Sequence, residues 1–313
     1  MEKITNRKIV LVTRKTRLDS LLVQYNTFEQ AKFIIEHSGG NFEYYVHEDK
    51  QYKSVVKEAI GILEKIALVQ LIDREYVSSF IFGKDDIIIV IGQDGLVANT
   101  LKYLDNQPLV GINPDVKEYE GVLLPFSVND LYKVIIDLLH GQRKFKEITL
   151  AKAELGDGQN LLAVNDLFIG QKTHVSARYI LEYGPKSEMQ SSSGIIISTG
   201  LGSTGWFKSI LQGVSKIARY CDDNITINLK QGNEFKWDSK FLYYTVREPY
   251  PSKTTKADMV FGKIENKNTF KIKSLMAENG VIFSDGVESD FINFNSGAEV
   301  TISVSEKRGL LVV

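Results

Sequence analysis

The run Asp86–Ile91, DIIIVI, leaves this chain few choices of fold. A strand with one wet face alternates apolar and polar residues, so a run apolar at nearly every position has to be covered on both sides, as in a parallel sheet flanked by helices. Lys8–Val12 and Leu109–Ile112 are runs of the same kind. Three segments between and after them carry apolar residues at helical spacing. These are Phe28, Ala31, Ile34 and Ile35; Val55, Val56, Ala59, Ile60 and Leu63; and Leu131, Val134, Ile135, Leu138 and Leu139, the last set opened by Ser127 and closed by Gly141. Gly39 and Gly40 end the first, and Phe42–Val46 reads as a further strand before the second, which begins at Tyr52. This alternation predicts an α/β domain, a parallel sheet with helices on both faces.

Beyond Phe145 the texture changes. Leu161–Ile169, Tyr179–Tyr183, Ile195–Ser198, Ile225–Leu229, Phe241–Arg247, Phe270–Ser274, Glu299–Val304 and Leu310–Val313 are strand-like, with Thr204–Ala218 the one convincing helix among them. A chain of 313 residues exceeds the usual single core. The expectation is an α/β domain over 1–145 and a β-rich domain over 146–313, with the C-terminal segment a candidate to return to the first. Thirty-eight basic against 39 acidic residues leave no global field for nucleic acid or an anionic membrane. The lone Cys221 excludes an internal disulfide or cysteine-built zinc site, fits a reducing cytoplasm, and reads as an ordinary small apolar residue. No apolar stretch reaches the roughly 20 residues of a membrane span, and the N-terminus reads as no signal peptide.

Ile195–Lys208, IIISTGLGSTGWFK, ends an apolar run in three glycines and resumes as a helix. Gly200, Gly202 and Gly205 remove side chains that would hold a phosphate or sugar off the main chain, and the helix start offers free N–H groups. GLGSTG spells the dinucleotide fingerprint, with Asp222 and Asp223 near the ribose-acid spacing, yet no room remains for the required strand between Ala218 and Asp222. Trp206 and Phe207 stand where a P-loop needs Lys and Ser or Thr. IGQDGL closes the Asp86–Ile91 strand and presents Asp94, between Gly92 and Gly95, at the edge where parallel sheets bind ligands. A plain turn in which Asp94 bonds its own backbone accounts for the same residues.

Asn165 and Asp166 interrupt the apolar run VNDLFIG, as a pair suited to ribose hydroxyls or a base edge, or as a strand end. Ser284–Gly286, SDG, reads as a hairpin turn. His37, His47, His140 and His174 show no metal-ligand spacing, and Ser191–Ser193 form no nucleophile elbow.

Taken in order, IGQDGL, VNDLFIG and ISTGLGSTGW resemble the ATP-dependent NAD kinases, whose GGDGT, Asn-Glu pair and TPTGSTAY-like loop lie on an α/β domain joined to a β-rich one. SSGIIISTGLGSTGWF, GINPDVKEYEGVLLP and TVREPY are most similar to the mitochondrial-type branch. The resemblance implies a catalytic Asp94, phosphates lined by Gly92 and Gly95, and NAD ribose and adenosine contacts from Asn165 and Asp166. It further implies a dinucleotide-holding loop of Thr199, Gly202, Ser203, Thr204 and Trp206. Gln93 and Leu96 depart from GGDGT, crowding the phosphate approach and removing one hydroxyl donor.

The implied activity is phosphoryl transfer from ATP, with Mg²⁺, to the 2′-hydroxyl of NAD, giving NADP, in a cytoplasmic homo-oligomer, first a dimer. Polyphosphate as donor and NADH as acceptor stay open. Two other classes remain: a nucleotide-binding protein with weak or lost turnover, motivated by Gln93 and Leu96, and a lipid or sugar kinase, motivated by the Asp-Gly turn at Asp285.

Overall fold

The computed structural model describes residues 3–222 and 235–313, so the strand expected at Ile225–Leu229 lies outside the described residues. The chain divides into two compact units, Met1–Lys146 with Leu310–Val313, and Glu147–Gly309.

In the first unit β1 (Lys8–Thr13), β2 (Leu68–Asp73), β3 (Ile87–Ile91) and β4 (Pro108–Ile112) form a parallel sheet in the order β2-β1-β3-β4. Leu310 and Leu311 run parallel beside Pro108 and Leu109. The helices are α1 (Arg17–Tyr25), α2 (Phe28–His37), α3 (Phe42–Leu63), α4 (Asp94–Leu101) and α5 (Leu131–Leu139). Val55, Ala59 and Leu63 of α3 and Leu131, Val134 and Ile135 of α5 pack with Ile9, Leu11, Ile87, Ile89, Ile91 and Val110. The alternate residues Val10, Val12, Ile88 and Val90 are fully buried too, which explains why these strands show no polar alternation. The chain leaves β1 for β2 on one side and returns as β3 on the other, so a topological switch point lies between the carboxyl ends of β1 and β3.

The expected strand at Phe42–Val46 is instead the opening of α3, whose N-terminus is capped by the Asn41 side chain accepting from the Glu43 N–H. Phe42, Tyr45 and Val46 pack with Leu18 and Ala31, so their burial follows helical spacing; five aromatic and branched residues are too short a window to reveal that period. Tyr44 and Tyr45 accordingly sit on a helix. The polar stretch after β1 conceals α1, started by a capping box between Thr16 and Asp19.

The second unit contains β5 (Phe145–Leu155, its first residues in the first unit), β6 (Asn160–Ala163), β7 (Asp166–Gln171), β8 (Ala177–Tyr183), β9 (Lys186–Ser192), β10 (Ile195–Ser198) and α6 (Trp206–Cys221). It continues with β11 (Leu242–Val246), β12 (Phe261–Ile264), β13 (Phe270–Ser274), β14 (Gly280–Ser284), β15 (Val287–Asn293) and β16 (Glu299–Val312, its last residues in the first unit). One antiparallel set runs β16-β13-β8-β9, with β5 beside β16 and β6; the other runs β12-β11-β10-β7-β14-β15.

Leu167, Ile169, Ile195, Ile197 and Ile282 from the second set meet Tyr179, Leu181, Phe270, Ile272 and Val300 from the first in one core. On the other face of β7, β10 and β14, Phe168, Ile196 and Val281 pack with Trp206 and Ile210 of α6. Covering by α6 therefore turns Ile195–Ile197 into a run apolar at each position, although its neighbours are antiparallel. Cys221, expected as a small apolar residue, is exposed at the end of α6. No helix among the described residues is long and apolar enough to cross a membrane.

Candidate functional site

Asp94 is the first residue of α4, immediately after the turn that closes β3. The Leu123 N–H donates to one carboxylate oxygen at 2.7 Å and the Val122 N–H to the other at 3.2 Å. These bonds bracket the segment following β4, which presses so closely on the sheet that a Cβ at Gly111 would lie 2.1 Å from the Leu123 carbonyl oxygen. A carboxylate offers about four lone-pair sites, so two backbone donors orient Asp94 and leave acceptor capacity on both oxygens. Tyr52 of α3 ties the switch point together: its hydroxyl accepts from the Arg14 N–H and donates to the Ile91 carbonyl, both at 2.9 Å. Burial pushes that phenol up to about 12, so it stays neutral.

The two glycines beside Asp94 differ. At Gly95 a Cβ would meet nothing within 4 Å, whereas at Gly92 it would lie 2.9 Å from Leu96 Cδ2. Leu96, which stands where GGDGT has its Thr, is buried and folds back over Gly92.

The remaining expected site residues belong to the second unit. Asn165 lies with Val164 in the turn from β6 into β7, and Asp166 is the first residue of β7. The turn is pinned by Asp285, whose carboxylate accepts from the N–H groups of Val164 (2.9 Å), Asn165 (2.6 Å) and Asp166 (3.2 Å). In return the Asp285 N–H donates to the Asp166 carbonyl at 3.0 Å. Asp285 and Gly286 are the two central residues of the β14–β15 hairpin, at φ 55° and 70°, where an Asp-Gly pair is favoured. The side chains of Asn165 and Asp166 make no hydrogen bond to protein among the described residues, although Asp166 is 92% removed from solvent, at 8% exposure. Burial, and then the charge of Asp285, raise the Asp166 carboxyl to about 7. A buried carboxyl with an unused hydrogen-bonding capacity and a perturbed pKa is a signature of a binding site.

The glycine-rich loop turns out to be packed mainly against protein. A Cβ at Gly200 would lie 1.7 Å from the Lys236 carbonyl oxygen, and one at Gly202 would lie 2.0 Å from that of Asn165. Two of the three glycines are therefore demanded by the protein's own backbone. The Thr199 N–H donates to the Asn165 carbonyl at 2.9 Å, and its fully buried hydroxyl donates to the Val164 carbonyl. Thr199 is a strut under the turn. The Ser203 and Thr204 hydroxyls donate to the Gly200 and Leu201 carbonyls, at 2.7 Å and 3.3 Å. At Gly205 a Cβ would meet only the Gly202 carbonyl oxygen, at an ordinary 3.6 Å, and α6 begins there with neither a side-chain cap nor an acidic residue in its first turn, which leaves its free N–H groups and dipole to an anion.

Trp206, the first residue of α6, stacks on Phe168 at 5.9 Å between centroids and 13° between planes, and Phe168 stacks on Phe283 at 4.7 Å. The Arg247 guanidinium lies 5.5 Å from the Trp206 ring. With Val281 and Phe291 these residues line an aromatic slot. Phe168, Phe283 and Arg247 carry no site signal in the sequence, because aromatics on strands have a spacing that cannot be told from core packing; Asp285, which reads there as a hairpin turn or as the motive for a lipid or sugar kinase, serves the Val164–Asp166 backbone instead.

The state of Asp166 has a consequence for stability. Its unfolded-state carboxyl ionises near 3.8 while the folded one holds its proton to about 7. The unfolded state thus binds fewer protons across that window, and stability falls as pH rises through it, with the full penalty above about 7. Asp166→Asn is expected to melt several degrees above the parent at about pH 8, with the gain shrinking to nothing near pH 4. Melting curves across this range check the sign.

No family model matches the chain. Over 126 residues, 39% of this chain, it is 29% identical to an NAD kinase of Chlorobium phaeobacteroides (strain BS1), and the match spans 43% of that relative's length. The crystal structure of an NAD kinase from Archaeoglobus fulgidus in complex with ATP superposes with a TM-score of 0.56 at 15% identity, over 97% of this chain and 92% of that one. Yeast NADH kinase complexed with NADH gives a TM-score of 0.60 at 13% identity, over 99% of this chain and 84% of that one. The chain has the two-domain fold of the NAD kinases. Its likeness to the ATP-NAD kinase family is one of fold over nearly its whole length and of sequence over part of it.

Proposed function

We propose that this protein is an ATP-dependent NAD kinase, transferring the γ-phosphoryl group of ATP to the 2′-hydroxyl of the adenosine ribose of NAD. The observation that carries most weight is Asp94, an oriented carboxylate with unused lone pairs beside an open Gly95, at the carboxyl edge of a parallel sheet. In the reaction the 2′-oxygen forms a bond to the γ-phosphorus, the bond to the β–γ bridging oxygen breaks, and the hydroxyl proton passes to Asp94. Gly92 and Gly95 admit the phosphates, Asn165 and Asp166 hold the nucleoside, Gly202 seats the loop on the Asn165 carbonyl, and Ser203 to Trp206 with the bare start of α6 receive the dinucleotide phosphates. The relatives named above support this reading by their names, an NAD kinase with ATP and an NADH kinase with NADH.

Mg²⁺ brought in on ATP keeps several waters and phosphate oxygens as ligands, and the unused lone pairs of the Asp94 carboxylate fit one protein contact to it. When bound, that ion neutralises phosphate charge; the protein's work is to orient the acceptor hydroxyl and accept its proton. A cytoplasmic homodimer completes the proposal.

Leu96 folded over Gly92 favours one second reading, a protein that binds NAD and turns it over weakly or not at all. The Asp285 carboxylate is engaged by three amides of its own chain, which removes the motive for a lipid or sugar kinase. Purified protein with NAD or NADH, and ATP or polyphosphate, coupled to an NADP-specific dehydrogenase, is expected to form NADP from NAD and ATP. Binding of NAD without product would establish the second reading, and absence of both would end the first.

A further inference from the structure

We propose that Asp285 is a positioning residue for the nucleoside site: it sets the Val164–Asp166 turn by gathering three successive backbone amides on one carboxylate and holds a negative charge beside Asp166. The inference rests on the NAD kinase reading for the identity of the ligand but not for the geometry.

Three successive N–H groups converging on one carboxylate fix the backbone from Val164 to Asp166 and so the direction in which Asn165 and Asp166 leave it. The return bond from the Asp285 N–H to the Asp166 carbonyl closes the clamp. A hairpin turn needs none of this. Asp-Gly is preferred there for its backbone angles, which Asn-Gly would satisfy as well, and only an acceptor-only side chain suits three donors. The second effect is electrostatic. The strand neighbours of the turn are Ser198 of β10 and Ser284 at the end of β14, neither charged. Asp285 is the one charged group acting on the Asp166 carboxyl among the described residues. Added to the larger effect of burial, its charge disfavours ionisation of Asp166 and raises that carboxyl to about 7, so that a proton is available to a ligand acceptor up to that pH. An electrically neutral residue at 285 would remove that control.

The test compares the parent protein, Asp285→Asn and Asp285→Glu by carboxyl-carbon NMR titration of Asp166, by amide hydrogen exchange, and by calorimetric titration with NAD. In Asp285→Asn the Asp166 midpoint is expected to fall by at least about one pH unit. Exchange at Val164, Asn165 and Asp166 should quicken while the core strands keep their protection, and NAD should bind at least about tenfold more weakly. Asp285→Glu keeps the charge on a longer stem. Its Asp166 midpoint should stay high while amide protection and NAD affinity drop, and it carries the positioning half of the proposal if Asp285→Asn does not fold. An unchanged midpoint in Asp285→Asn, or unchanged protection of the three amides in both variants, overturns the proposal. The titration and exchange need no ligand. If the variants show both effects while the parent protein binds no NAD, the NAD kinase reading falls and the positioning role stands.

Discussion

Asp94→Asn is expected to lower kcat for NADP formation by about 10²–10⁴-fold, the range in which a positioned proton acceptor contributes. The substitution conserves shape, and the amide oxygen can still accept from the Leu123 N–H, now at 2.7 Å from the carboxylate. The amide nitrogen would then oppose the Val122 N–H, so one hydrogen bond, about 0.5–1.5 kcal/mol, is lost from the fold. Activity and stability therefore separate. A catalytic Asp94 loses rate with a small fall in melting temperature and little change in KM for NAD. Had Asp94 only the duty of bracketing Val122 and Leu123, the variant would melt earlier yet form NADP at nearly the parental rate per folded molecule. Retention of more than about a tenth of kcat sinks the catalytic assignment.

Gly202→Ala is expected to damage both the fold and the nucleoside site. Its Cβ would stand 2.0 Å from the Asn165 carbonyl oxygen and 2.6 Å from the carbonyl carbon, and backbone cannot swing aside as a side-chain end can. Asn165 is held at its N–H by the Asp285 carboxylate and at that same carbonyl oxygen by the Thr199 N–H. The strain should cost about 1–3 kcal/mol, the usual penalty of overpacking. Either the loop or the turn must move, and NAD affinity should fall more than about tenfold. Gly213→Ala is the control. It lies within α6 with nothing within 4 Å of its Cβ position, so it should stabilise by up to about 1 kcal/mol. If Gly202→Ala matches the parent in melting temperature and NAD binding, the close approach does not govern this site.

The elements read most accurately from sequence are those whose burial is simple. Ile195–Ser198 and Phe270–Ser274 coincide with β10 and β13, and Ser127 and Gly141 frame the segment that becomes a short turn and α5. The two-domain fold of the resemblance is the fold observed. Misreadings fall where packing is local to a subdomain or one-sided. Phe42–Val46 took its helical state from contacts with α1 and α2, and the exposed Leu68 and Leu71 of β2 offer no strand pattern to read. In the site, the turns around Asp94 and Asn165–Asp166 were legible because polar and glycine residues interrupt apolar strands. Phe168, Phe283 and Arg247 were not, since an aromatic on a strand reads as core until its neighbours are known.

The sequence by itself determined the periodicities, hence the parallel sheet, a β-rich second half and the places where the chain must turn. It also placed Asp94 at a strand's carboxyl end and a helix after GLGSTG. Tertiary structure alone decided what those glycines are for: Gly200 and Gly202 make room for the carbonyls of Lys236 and Asn165 rather than for a ligand. It alone brought Asp285 to amides 119–121 residues away, and with it the state of Asp166. The physical reason is one of range. Side-chain periodicity and turn chemistry are properties of neighbouring residues, whereas close backbone approach, desolvation and the charge beside a carboxyl depend on segments that only folding brings together.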